Sequence, residues 1–152
     1  MDYAKILSEI VEETRQYATI GEQASYIPEL LHVDPDQYGI ALQTIKGKEY
    51  AIGDSQTRFS IQSISKVFSL AMAFHLLGEK LWERIGVEPS GSAFNSVIQL
   101  EIEQGRPRNP LINAGAIVVS DILISQLKYP EEEFLDFVQT ISKCPDLKYD
   151  EK

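Results

Sequence analysis

FSIQSISKVFSLAMAFHLLG, residues 59–78, decides the fold. From Val67 to Leu77 nearly every position is apolar, and Gly78 follows as a stop, a pattern that predicts a helix buried on most of its sides. Ahead of it stands Ser63-Ile64-Ser65-Lys66. Residues at i and i+3 share one face of a helix, so the spacing predicts Ser63 and Lys66 in its first turn with hydroxyl and amine within reach of each other. A serine hydroxyl attacks a carbonyl only when a base removes its proton, and a lysine serves as that base once desolvation or a nearby cation favours its neutral form. Free N–H groups at the helix start would stabilise the oxyanion. The same residues also fit a plainer reading, with Ser63 or Ser60 capping the helix and Lys66 carrying its charge out to water over an apolar stem. With 13 serines and 9 lysines in 152 residues, roughly one Ser-x-x-Lys match arises by chance, so the spacing alone leaves both readings open.

Working outward, Ile6, Leu7, Ile10, Val11, Thr14 and Tyr17 recur at helical spacing, with Gly21 as a stop. GEQASYIPELLHVDPDQ carries two prolines and reads as an irregular loop around Tyr26. YGIALQTI and EYAIG flank Lys46-Gly47-Lys48 and predict an antiparallel hairpin. After the central helix come a loop at PSGSAFNS, a short apolar run VIQLEI and the turn-rich EQGRPRNP. A second apolar helix, AGAIVVSDILISQL, and an amphipathic one from Glu131 to about Ser142 complete the pattern. The chain reads as one mixed domain, helix-rich after residue 60.

Composition narrows the chemistry. Apolar residues make up 43 % and charged residues 24 %, enough for a single globular core and too apolar for a disordered chain. The net charge of −9, from 23 acids and 14 bases spread along the chain, argues against nucleic acid or an anionic membrane as partner. One cysteine, Cys144, allows neither an internal disulfide nor a cysteine metal cluster, and the isolated His32 and His75 lack ligand spacing. The amino terminus is amphipathic and acidic, and no apolar run reaches the ~18 residues of a membrane span, so the expectation is a cytoplasmic protein.

Four stretches, ASYIPELLHVDPDQYGIALQTIKG, GDSQTRFSIQSISKVFSLAMA, SGSAFNS and GRPRNPLINAGAIVVSD, follow one another in the order and at the separations of the amino-terminal half of the serine-dependent glutaminases. The chain resembles that family from about Ile6 to its end, and NPLINAGAI with FSIQSISK is far more specific than the tetrad. The resemblance implies an α+β, β-lactamase-like (DD-peptidase-like) fold, helix-rich with an antiparallel sheet, and hydrolysis of L-glutamine to L-glutamate and ammonia without metal or other cofactor. Carried over by motif, Ser63 becomes the nucleophile that forms a γ-glutamyl ester and Lys66 its general base. Tyr26 becomes a loop tyrosine that faces the substrate and assists proton transfer. Asn113 binds the α-carboxylate or amino end of glutamine, while Gln62 and Ser92 line the pocket. The family also implies a homo-oligomer for the full-length enzyme.

Each residue has a plainer alternative: Tyr26 packing on a turn, Asn113 capping the helix that follows it, Gln62 in solvent. Arg106 and Arg108 could clamp an anion or simply sit in a solvated loop. Family members are about twice this length, and the residues that complete their pocket lie beyond DLKYDEK, so the expectation is an amino-terminal part of one catalytic domain with an incomplete core. Two other functions stand beside the glutaminase reading. A penicillin-recognising hydrolase would call for Ser-Asp-Asn and Lys-Thr-Gly, which the chain lacks, and a non-catalytic fragment would bind a partner through its uncovered surface.

Overall fold

The structure, a computed structural model, describes residues 1–18, 20–91, 93, 95, 96 and 98–150, without the side chain of Gln99. The chain divides into two compact units, residues 1–59 and 60–152.

The first unit joins one helix to a hairpin. Helix α1 (Tyr3–Arg15) begins at Asp2, whose carboxylate accepts from the Lys5 N–H at 3.2 Å and so caps the first turn. It ends six residues before Gly21, because Tyr17 and Ala18 close successive turns back onto Thr14 and Arg15 instead of prolonging the helix. Strands β1 (Gly39–Gln43) and β2 (Glu49–Gly53) pair antiparallel as expected, with Ile40 opposite Ile52 and Leu42 opposite Tyr50. Those four side chains alternate with exposed neighbours, so one face of the ribbon is apolar, the period-2 pattern of a half-buried sheet. That ribbon takes α1 as its cover: the Tyr3 and Tyr50 rings meet at a tilt of 57° with centroids 5.5 Å apart, Leu7 is buried, and Thr14 Oγ1 and Tyr38 OH share a 2.5 Å hydrogen bond. The connecting turn needs Gly47, whose φ of +78° suits a residue without a Cβ.

The second unit is helical. A 3-10 turn, Gln62–Ile64, leads into α2 (Ser65–Leu77), which Gly78 caps and a second 3-10 segment (Gly78–Glu83) continues. The short α3 (Ile98–Ile102) occupies the stretch read as an apolar run, and α4 (Asn113–Gln126) and α5 (Pro130–Ser142) follow. Met72 and Ala73 of α2 pack with Val118, Val119, Ile122 and Leu123 of α4, joined by Leu81 and Ile85. Fully burying a side chain of this size stabilises by about 1.5–3 kcal/mol relative to leaving it in water, so this seam holds the unit together.

The burial of α2 is a correction. The expected cover is incomplete: Met72 and Ala73 are buried and Phe68 and Leu70 partly so, but Val67 remains 55 % and Phe74 41 % exposed. Composition gives the helix apolar residues all round, whereas α4, α5 and the adjoining 3-10 segments pack against part of its circumference.

Candidate functional site

Ser63 and Lys66 do not share a helical turn as the spacing predicts. Ser63 lies in the 3-10 turn ahead of α2, and Lys66 is the second residue of the helix. The reason is Gln62, whose φ of +40° is left-handed backbone that costs a residue with a Cβ on the order of 1 kcal/mol. That residue turns the chain just before Ser63, and the Ile64 N–H closes the turn onto Ile61 O at 2.8 Å. The Ser65 N–H is likewise taken, by Gln62 O and Ser63 O. Among the described residues the Ser63 N–H makes no backbone hydrogen bond, and its hydroxyl is exposed and caps nothing. The capping alternative for Ser63 therefore fails.

Lys66 is partly buried, and its amine has two acceptors. Nζ donates to Asn113 Oδ1 at 2.6 Å and to the Leu111 carbonyl at 3.2 Å, both brought in from 45 or more residues along the chain. No hydrogen bond joins Lys66 to Ser63 among the described residues.

The loop 109–112 delivers those acceptors. Asn109 folds it, its Oδ1 accepting from the Leu111 and Ile112 N–H groups at 3.1 and 3.2 Å while Nδ2 donates to Glu88 O at 2.9 Å. The loop then packs flat against the first turn of α4, where a Cβ on Gly115 would stand 2.0 Å from Asn109 O. Asn113, first residue of α4, makes no capping bond; Ile112 holds the N-cap position. Sequence reasoning missed the loop carbonyl and Asn109. The one available signal was Asn-Pro, a turn initiator, directly ahead of the INAGAI motif.

The other expected residues fare differently. Gln62 is exposed and matters to the site through its backbone. Tyr26 belongs to the first unit and is 79 % exposed, in the bend before a 3-10 segment at Pro28–His32. Ser92 lies outside the described residues. Arg106 and Arg108 line a hollow with Trp82, Gly86, Glu88 and Glu103 that includes neither Ser63 nor Lys66. There Arg108 pairs with Glu103 and Arg106 donates to Trp82 O at 2.9 Å, so both guanidiniums hold the loop and the anion clamp finds no support. An open, largely apolar groove runs along α4 from Asn113 past Ala116, Ile117 and Ser120 to Ile124. The described residues hold no cluster of His, Cys, Asp or Glu suited to a metal ion, and no described helix is long and apolar enough to cross a membrane.

Comparison with known proteins bears on what this arrangement does. The glutaminase family profile matches residues 21–152. A glutaminase of Saccharophagus degradans is 55 % identical over 149 residues, covering 98 % of this chain and 48 % of that protein. One from Vibrio cholerae is 53 % identical over 148 residues, with 97 % and 48 % covered. Among solved structures, a probable glutaminase of Bacillus subtilis superposes with a TM-score of 0.73 at 36 % identity, over 92 % of this chain and 42 % of that one. The chain spans about half the length of the curated relatives it matches.

Proposed function

Since this chain belongs to the glutaminase family, we propose that it carries the nucleophile half of an enzyme hydrolysing L-glutamine to L-glutamate and ammonia, on a β-lactamase-like scaffold of which it forms the amino-terminal part. The observation that supports this best is the seating of Lys66. A lysine at the head of an apolar helix has its amine held by two neutral acceptors, one turn from an exposed serine that caps nothing.

In this reading Ser63 Oγ attacks the γ-carboxamide carbon as Lys66 Nζ takes the hydroxyl proton. The free Ser63 N–H donates to the oxygen that gains the carbonyl electron pair. Collapse of the tetrahedral adduct breaks the C–N bond, the nitrogen takes a proton from Lys66 and leaves as ammonia, and a γ-glutamyl ester remains on Ser63. Water then attacks the ester as Lys66 takes its proton, and Lys66 passes that proton to Ser63 Oγ as the C–O bond breaks, which frees L-glutamate and restores the serine hydroxyl. Asn113 presents its amide nitrogen to the amino-acid end of the substrate, and Gln62 lines the entrance. The exposed Ile117 and Ile124 on the α4 groove favour a second reading, a non-catalytic surface for a partner.

The test is ammonia release from L-glutamine by this chain, alone and supplied with the carboxy-terminal half of the Saccharophagus degradans relative. Turnover is expected in the supplied sample and at least about a hundredfold less from the chain alone, since loss of even one oxyanion donor costs on the order of 10²-fold. Ser63→Ala should abolish it. No turnover in either sample, or turnover that survives the alanine, refutes the proposal.

A further inference from the structure

We infer that Asn113 is a positioning residue for Lys66: its Oδ1 and the Leu111 carbonyl take both hydrogens of the neutral amine and leave the lone pair as the amine's one open position. This rests on the Ser63–Lys66 reading and deepens it. A neutral lysine amine has two N–H donors and one lone pair, and a protonated one has three donors and none. Two acceptors meet Nζ, at 2.6 and 3.2 Å. They satisfy the neutral amine completely and leave the ammonium with one unmatched donor.

That count matches what the chemistry asks at each stage. Before attack, the lone pair is the only site on Nζ able to accept the Ser63 proton. After attack, the third N–H is the only one not already engaged, so it is the proton handed to the departing nitrogen, and the amine returns to its starting pattern. Because Oδ1 must face a donor, the Asn113 amide is oriented with Nδ2 turned away, where it meets no acceptor among the described residues. Positioning Lys66 and contacting substrate therefore use opposite ends of one carboxamide.

Both acceptors are neutral. On α4 the only charged residue is Asp121, paired with Arg84 at 2.8 Å. The 3-10 segment after α2 carries Glu79, Lys80 and Glu83, α5 carries Glu131, Glu132, Glu133 and Asp136, and α2 itself has His75. None of these forms an ion pair with Lys66.

The 152-residue chain itself serves for the test, with a serine-directed fluorophosphonate as probe. Labelling of Ser63, followed by intact mass and peptide mapping across pH, reports the availability of the Lys66 lone pair without requiring a complete glutamine pocket. Wild type should label at Ser63 with a rate that rises through one midpoint, and Lys66→Ala should lose that reaction. Asn113→Asp keeps size and acceptor but adds a charge that retains the Lys66 proton. Its midpoint should move up by about one pH unit or more, which is about tenfold slower labelling below the midpoint. Asn113→Leu, with no acceptor, should slow labelling at all pH values. If Ser63 of the wild type does not label, the Ser63–Lys66 reading falls and this inference with it. If Ser63 labels and needs Lys66, but a normally folded Asn113→Asp keeps the wild-type midpoint, the inference alone falls and Asn113 serves substrate only.

Discussion

Gly115→Ala should be among the most damaging single-methyl additions in this chain. Its Cβ would stand 2.0 Å from Asn109 O, 2.7 Å from Pro110 Cα and 2.9 Å from the Asn109 carbonyl carbon, all backbone atoms. An ordinary carbon–oxygen contact is above about 3 Å, so helix and loop must part by roughly 1 Å, and neither can rotate a side chain away. The displaced loop carries three hydrogen bonds made by Asn109, two of which fold residues 111 and 112. Overpacking of a rigid contact costs about 1–3 kcal/mol, and loosening two of those bonds adds about 1 kcal/mol each, so a loss of roughly 3 kcal/mol or more is expected. With an unfolding slope of about 2 kcal/mol per molar urea, the midpoint falls by roughly 1.5 M. Urea titration read by far-UV circular dichroism and by the single Trp82, which packs against the core of the same unit, measures it. Gly21→Ala is the control, since its Cβ meets nothing within 4 Å. Gly115→Ala should also disturb Lys66, both of whose acceptors, Leu111 O and Asn113 Oδ1, lie in the segment between Asn109 and Gly115. A loss under about 1 kcal/mol, the ordinary scale of a point mutation, would refute the close packing of loop on helix.

Three further outcomes follow from single contacts. Lys66→Arg should be nearly as inert as Lys66→Ala toward glutamine and the fluorophosphonate, because a guanidinium stays protonated at neutral pH; substantial Ser63 labelling in the arginine variant would remove the base assignment. Ile122→Ala, at the fully buried centre of the α2–α4 seam, should cost about 2–5 kcal/mol by urea titration, and a loss near zero would place the core elsewhere. Tyr149 donates its hydroxyl to Glu131 O at 2.9 Å, and its phenol is pushed above the usual tyrosine range, first by burial and then by Glu131 and Glu132. The unfolded chain gives up that proton first, so the contribution is whole below about pH 10 and is lost as pH rises beyond it; Tyr149→Phe should flatten the alkaline fall of the urea midpoint, and an unchanged fall would contradict the shift.

Local chemistry was legible without coordinates. The hairpin follows from Gly47 between two alternating strands, and α2 and α4 follow from apolar runs, because turn conformation and helical periodicity depend on residues near in sequence. Ser63 and Lys66 could be singled out for the same reason, since the candidate pair lies within four residues and its motif can be read directly. Burial was not legible. Val67 and Phe74 are as apolar as Met72 and Ala73, and only the path of α4 past one side of α2 decides which pair leaves water. Nor was the setting of the amine. Asn113 reaches Lys66 across 47 residues, the second acceptor is a backbone carbonyl that any residue at 111 would supply, and the left-handed Gln62 that lifts Ser63 out of the helix carries no Gly or Asn to announce it. Local sequence sets which groups are available; contacts between distant segments set which hydrogens and lone pairs those groups have left to use.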